Sequence, residues 1–100
     1  MFEKVTILFC APQSKPELIE IENTVSKMEE IVKGPINAKT LDDNGLCVIT
    51  NELGEVKDLA LNRVIHEEPI FGPCFFCRKN GEEFISLFKE EQEDLKNLLD

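Results

Sequence analysis

The chain has 100 residues, with 11 lysines and arginines against 20 aspartates and glutamates, so its formal net charge is −9 at pH 7. So acidic a surface repels polyanions, which excludes direct binding to nucleic acid or to an anionic membrane as the main function. The hydrophobic fraction of 42% is that of a globular protein and excludes intrinsic disorder, and the length predicts a single domain over residues 1–100.

Two strands and a helix are predicted in the first third of the chain. Residues 5–9 are rich in β-branched and aromatic side chains and are followed by a proline, which indicates a strand. Residues 18–22 alternate apolar and acidic side chains, the period of a half-buried strand that can pair with the first. A short helix is expected at about 24–33, because apolar residues recur there at helical spacing until Gly34 ends the run.

Two β-hairpins are predicted further along the chain. The first joins residues 36–41 to residues 46–50 through Asp42-Asp43-Asn44-Gly45, whose Asn and Gly tolerate the positive φ of a tight turn. The second joins residues 70–78 to residues 82–87.

Two regions remain: the segment between the two hairpins, and the C-terminal end of the chain. Residues 55–68 fit neither the helical nor the strand period, and we interpret them as an irregular connection with room for one short strand. A C-terminal helix is expected at about 87–99, with Ser86 as its cap. Its predicted apolar stripe consists of Phe88, Leu95, Leu98 and Leu99.

Together these elements predict an α+β fold, with a mostly antiparallel sheet of about five to six strands and two helices on its faces. Residues 46–49 and 74–77 are apolar at every position, which is typical of strands that are covered on both faces. Two short helices leave part of such a sheet bare. Either a homodimer or the segment 55–68 is therefore expected to cover the remainder.

The sequence also bears on the compartment. Its apolar runs are far shorter than the roughly 20 residues that span a bilayer. The start Met1-Phe2-Glu3-Lys4 lacks the basic region that precedes a signal core. We therefore expect a cytoplasmic protein without a membrane segment. In that reducing compartment the four cysteines, Cys10, Cys47, Cys74 and Cys77, are predicted to be free thiols.

The order of several short motifs resembles a known family. The motifs are Ile31-Val32-Lys33-Gly34-Pro35-Ile36, Leu41-Asp42-Asp43, Asn51-Glu52-Leu53-Gly54, Asn62-Arg63 and Ile70-Phe71-Gly72-Pro73, followed by Phe75-Phe76. From about residue 24 onward they are similar to the family catalogued as domain of unknown function 3846. The resemblance implies an accessory protein of phages, plasmids and other mobile elements, and it implies no agreed activity, cofactor or catalytic residue.

Cys74 and Cys77 have the spacing of two zinc ligands, which is the one metal-like pattern in the chain. However, the two phenylalanines between them favour an extended strand, which points the two sulfurs to opposite faces. The pair also lies outside the family pattern, and Cys10 and Cys47 are isolated in the sequence. We therefore predict buried thiols that act as small hydrophobic side chains, and no metal or other cofactor. Zinc at Cys74 and Cys77 is the alternative.

Three polar residues are candidates for ligand binding. An arginine fork beside an asparagine can bind a carboxylate or a phosphate, so Asn62 and Arg63 form one candidate pair. The simpler interpretation is that Arg63 pairs with one of the many acids. His66, the only histidine, is expected to be a surface imidazole that pairs with Glu67 or Glu68. A nucleophilic pair of a cysteine with His66 is the alternative.

The chain contains no glycine-rich nucleotide loop and no metalloprotease motif. Our leading hypothesis is a non-catalytic accessory protein of a mobile element that binds another protein or a small ligand. One alternative is a DNA mimic that inhibits a nucleic-acid-processing protein, with the acids of residues 82–94 as its charged stripe. The other alternative is a small enzyme that uses a cysteine or His66.

Overall fold

The computed structural model describes residues 3–100, in which eight strands and two helices alternate with short turns. In chain order the elements are β1 (Lys4–Cys10), β2 (Glu17–Glu22), α1 (Val25–Val32), β3 (Ile36–Thr40), β4 (Leu46–Asn51), β5 (Leu61–Ile65), β6 (Glu68–Phe71), β7 (Cys74–Asn80), β8 (Glu83–Ile85) and α2 (Lys89–Leu99). Every strand pair in this part of the chain is antiparallel, which confirms the predicted α+β class.

The main sheet has six strands, as predicted. Five of them follow the order β2-β1-β7-β4-β3, and β8 pairs with the end of β7 that β1 leaves free. Strands β5 and β6 form a separate two-stranded sheet that the sequence analysis did not predict. The strands at the centre, β7 and β4, are buried on both faces over most of their length.

Each face of the main sheet has its own core. The first face is covered by α1, and its core contains Ile7, Ile49 and Phe75 together with Met28 and Val32 of the helix. The second face is covered by α2 and by the β5–β6 hairpin. Its core contains Leu8, Val48, Phe76, Ile70 and Leu87, with Ile65, Leu95 and Leu99 packed against it.

The segment 55–68 therefore helps to cover the second face of the sheet, which was expected to be covered either by this segment or by a homodimer. Its first part is irregular and its second half forms β5 and the turn into β6, so the one short strand that the sequence left room for is present, whereas its pairing into a hairpin was not predicted. His66 and Glu67 make this reversal with φ of 50° and 66°. Asn and Gly are the residues that normally indicate such a turn, and neither occurs here. The sequence therefore gave no indication of the β5–β6 hairpin. The homodimer stays a prediction.

The interpretation of residues 70–78 as one strand was wrong, because two strands, β6 and β7, occupy this range. Gly72 has a φ of 85° and is followed by Pro73, so the chain changes direction between β6 and β7. The backbone N–H of Gly72 donates to the carbonyl of Ala60 at 2.7 Å, which holds this bend against the start of β5. The remainder of the predicted second hairpin is present as β7 and β8.

Helix α1 has side-chain hydrogen bonds at both of its ends. Thr24 caps α1, since its hydroxyl oxygen accepts from the N–H of Lys27 at 3.1 Å. At the other end of α1, the amide nitrogen of Asn51 donates to the carbonyls of Val32 and Lys33 at 3.0 and 3.2 Å. Asn51 is only 6% exposed, so this buried amide ties the end of α1 to β4.

The start of α2 differs from the prediction. Ser86 does not cap the helix, because its hydroxyl accepts from the N–H of Thr6 at 2.8 Å and joins the chain to β1. The carboxylate of Glu91 instead accepts from the N–H of Phe88 at 2.7 Å. Phe88 and Leu98, which were assigned to the apolar stripe, are 50% and 79% exposed. None of the helices in residues 3–100 combines the length and the hydropathy that crossing a membrane would need.

Candidate functional site

Asn62, one of the predicted ligand-binding residues, lies on β5 and is fully used inside the protein. Its amide nitrogen donates to the carbonyls of Cys10 and Gly72 at 2.8 and 2.9 Å, and it lies 3.6 Å from the sulfur of Cys74. These bonds join the hairpin to the end of β1 and to the bend before β7. The side chain thus positions the hairpin on the second face of the sheet.

Arg63 also forms its hydrogen bonds within the protein, but its partners are an amide oxygen and backbone carbonyls and not the acidic side chain that the simpler interpretation predicted. Its Nε donates to the side-chain oxygen of Asn62 at 3.0 Å, and its Nη1 donates to the carbonyl of Leu99 at 2.7 Å. A cation at the C-terminal end of a helix is stabilised by the helix dipole, so Arg63 anchors the last turn of α2. Its Nη2 reaches the carbonyl of Ser14 at 3.4 Å.

His66 lies apart from this pair, at the exposed tip of the β5–β6 hairpin. Within residues 3–100 it forms no ion pair, and Glu68 beside it pairs with Lys39 instead. The structure therefore brings Asn62 and Arg63 together but does not bring His66 to them. All four cysteines are buried, so an exposed imidazole at the hairpin tip has no thiol to activate.

The cysteines follow one prediction and depart from another. Cys74 and Cys77 lie on an extended strand and belong to the cores of opposite faces, as expected from the spacing. However, Cys10 and Cys47 are not isolated in space. Cys47 lies opposite Cys77 and Cys10 lies opposite Cys74 in the strand register. The described residues contain no group of three or more metal-ligating side chains.

An arginine that the sequence analysis did not single out holds α2 to the main sheet. Arg78 is only 7% exposed, and its Nε and Nη2 donate to the two carboxylate oxygens of Glu91 at 2.6 and 2.8 Å. Its Nη1 donates to the carbonyl of Asn44 at 2.7 Å, and its guanidinium lies 4.4 Å from the centre of the Phe88 ring. The only sequence signal was a charged residue at the end of an apolar strand.

This contact predicts a pH dependence. The hydrogen bond from Arg78 lowers the pKa of Glu91, so the pair stabilises the fold fully above the ordinary carboxyl range and loses this effect as the pH falls through the lower folded-state pKa. Glu91→Gln should therefore be less stable than the wild type at about pH 7, with the difference shrinking toward about pH 3. Urea unfolding across that range measures the difference. Glu93→Gln, on an exposed position of α2, is the control, and a difference for Glu91→Gln that is constant with pH would contradict the assignment.

A cleft of about 320 Å³ lies between the second face of the sheet and the hairpin. One wall is β3 and β4, where Asn37 pairs with Thr50 and Lys39 pairs with Val48 across the strands. The other wall is β6. The apolar residues that line the cleft are Val48, Ile65, Pro69, Ile70 and Phe71, and the polar ones include Asn37, Lys39, Thr50, Glu52, Glu55 and Glu68.

Four of these polar side chains have unused hydrogen-bonding groups. Asn37, Thr50, Glu52 and Glu55 form no side-chain hydrogen bond and no ion pair with any other residue from Glu3 to Asp100. They differ in this from Asn62 and Arg63, whose polar groups are consumed by internal contacts. The cleft therefore offers two neutral side chains and two carboxylates to a bound molecule.

The charge of the cleft is negative. One lysine, Lys39, stands against three glutamates, and Glu68 already neutralises it through an ion pair. Glu52 and Glu55 are left without a positive partner in the described part of the chain. Because carboxylates only accept hydrogen bonds, they match a ligand that donates and that carries positive charge.

The fold is thus an antiparallel α+β domain with a ligand-sized cleft between its sheet and a surface hairpin. A family model, "Domain of unknown function (DUF3846)", matches residues 5–100. The chain belongs to this family, as the resemblance predicted. Neither the curated proteins nor the solved structures contain a match to the sequence.

Proposed function

We propose that this protein is a non-catalytic binding protein whose ligand is a small organic cation held in the cleft between β3–β4 and the hairpin. The observation that supports the proposal is a set of four polar side chains around the apolar lining of the cleft. These side chains, which have no hydrogen-bond or ion-pair partner among the described residues, are Asn37, Thr50, Glu52 and Glu55. Ligand sites generally combine an apolar lining with a few polar groups that fix orientation. A volume of about 320 Å³ suits a small molecule.

A positively charged ligand follows from the electrostatics at two ranges. At short range, Glu52 and Glu55 provide unpaired carboxylates at the cleft. At long range, the net charge of −9 raises the local concentration of cations around the protein and repels anions. The apolar residues of the floor favour an ammonium or guanidinium carried on a hydrocarbon or aromatic frame over a bare inorganic ion.

Catalysis is not part of the proposal. Among the described residues, neither a cysteine nor the histidine lines this cleft, so a bound molecule meets carboxylates, an amide, a hydroxyl and a lysine that is already paired. These groups hold and orient a cation without an activated nucleophile next to it.

Calorimetric titration with three amines tests the proposal: agmatine, cadaverine and tyramine. We expect at least one to bind with a Kd between about 1 µM and 1 mM. Glu55→Gln should weaken that binding at least about tenfold, since a lost charge-assisted hydrogen bond is worth about 1.5 to 3 kcal/mol. Glu20→Gln, on the exposed side of β2 and outside the cleft, changes the net charge equally and should leave the Kd nearly unchanged.

Two outcomes would contradict the proposal. One is the absence of saturable binding for all three amines up to about 10 mM, which is weaker than any specific site of this size should be. The other is an equal loss of affinity in Glu55→Gln and Glu20→Gln, because that result assigns the binding to the overall charge and not to the cleft.

A further inference from the structure

Every cysteine of this protein lies opposite another cysteine on a neighbouring strand. In the register of β4 and β7, Cys47 is the partner of Cys77. In the register of β1 and β7, Cys10 is the partner of Cys74. Since paired residues project to the same face of a sheet, the four thiols form two pairs, one within each core.

The geometry of the first pair suits a covalent bond. The sulfurs of Cys47 and Cys77 lie 3.6 Å apart. The N–H of Lys79 donates to the carbonyl of Gly45 at 2.8 Å, so the alternation of an antiparallel ladder makes Cys47 and Cys77 a hydrogen-bonded pair as well. Residues in such pairs have Cα atoms about 5.5 Å apart, which is within the Cα range of disulfides. Their Cβ atoms are farther apart than the roughly 3.5–4.5 Å of a disulfide, so the two strands must move slightly closer when the bond forms.

We propose that the two cysteine pairs are two-electron redox sites, which a small-molecule disulfide such as oxidised glutathione converts into internal disulfides. A thiolate of the pair attacks the glutathione disulfide, and one glutathione leaves. The second thiol of the pair loses its proton and attacks the mixed disulfide, so the internal S–S bond forms and the second glutathione leaves. In total the pair loses two electrons and two protons, and glutathione disulfide gains them.

The second pair has neighbours that support the attacking thiolate. The hydrogen bond from Cys74 lowers the pKa of Cys10, and the positive charge of Arg63 lowers it further. The amide nitrogen of Asn62 lies 3.6 Å from the sulfur of Cys74, and the side-chain oxygen of the same residue accepts from Nε of Arg63. Thus two residues that hold the hairpin in place also surround this thiol pair with donors.

Access to the sulfurs requires local opening, because all four thiols are 0% exposed. The first pair lies beneath α1, a helix of eight residues. So short a helix is held by packing and not by its own stability, and access to this pair requires α1, with its buried Met28 and Val32, to move off the sheet. Oxidation of the native protein is therefore expected to be slow, and to accelerate in urea below the unfolding transition.

Two chains that each keep one cysteine on β4 and one on β7 test the proposal. Cys10→Ala/Cys74→Ala retains Cys47 and Cys77, whose sulfurs face each other. Cys10→Ala/Cys77→Ala retains Cys47 and Cys74, which belong to opposite faces of the sheet. Each folded chain is incubated with oxidised glutathione, and intact-mass measurement separates the internal disulfide from glutathione adducts. Circular dichroism before and after incubation checks that both remain folded.

We expect at least about tenfold more internal disulfide in the chain with facing sulfurs, because the bond tolerates only a narrow range of separations. Equal yields in the two chains, or glutathione adducts as the main product of both, would overturn the proposal. Should either variant fail to fold, the wild type decides the matter. Peptic cleavage between Phe75 and Phe76 separates its two CxxC cysteines, and linkages other than 47 to 77 and 10 to 74 would overturn the assignment.

Discussion

Replacing Arg78 by methionine is expected to lower the free energy of unfolding by about 3 kcal/mol, because the change removes one member of a buried ion pair and leaves the other uncompensated. The guanidinium makes both bonds to Glu91, bonds the carbonyl of Asn44 and lies against the ring of Phe88. Methionine keeps much of the apolar stem and supplies none of the donors. Urea unfolding followed by circular dichroism measures the loss.

Two further variants separate the ion pair from simple packing. In Arg78→Met/Glu91→Leu both charges are absent, and we expect the double variant to be more stable than Arg78→Met alone. Lys79→Met removes a charge from the next, less buried position of β7 and should cost less than about 1 kcal/mol. An Arg78→Met chain no less stable than Lys79→Met would show that the contact with α2 contributes little.

Replacing Gly45 by alanine is expected to cost about 3 kcal/mol, through a strained backbone angle combined with a steric clash. Gly45 has a φ of 96°, a conformation that side chains strongly disfavour. A Cβ atom there would lie 2.3 Å from the carbonyl oxygen of Lys79, which is fixed in the pairing of β7 with β4. The turn or the strand must therefore shift.

Gly81 provides a matched control for this turn. It also has a positive φ, of 66°, but a Cβ atom would meet no other atom within 4 Å. Gly81→Ala should therefore cost only the conformational strain, about 1 kcal/mol. Thermal unfolding of the two variants compares them directly, and similar losses would mean that the approach of Lys79 to Gly45 is not restrictive.

The sequence predicted the parts of the fold that depend on local chemistry. Asp42 shows this most clearly, since its carboxylate accepts from the N–H groups of Asn44 and Leu46 at 2.9 Å each. These bonds stabilise the turn that was predicted at residues 42–45. The CxxC spacing likewise predicted an extended strand with sulfurs on opposite faces. In both cases residues close in the chain determine the outcome.

The parts that were missed depend on residues far apart in the chain. The β5–β6 hairpin turns at His66 and Glu67, which carry no turn signal, and it is positioned by the long-range bonds of Asn62. Each cysteine pair combines strands that are distant in sequence, so counting spacings could not find it. The cleft takes its lining from several separate segments. Two of them contain the short family motifs at residues 51–54 and 70–73, but neither motif by itself indicates a ligand site.

A small cation is proposed to bind on the second face of the sheet, beneath the hairpin. Methyl NMR spectra recorded during titrations with agmatine, cadaverine and tyramine test this directly, because the two cores report on the two faces. We predict that the signals of Val48, Ile65 and Ile70 shift in a saturable manner, while those of Ile7 and Ile49 on the first face stay in place. Shifts confined to the first face, or no shift with any of the three amines, would contradict binding in the cleft.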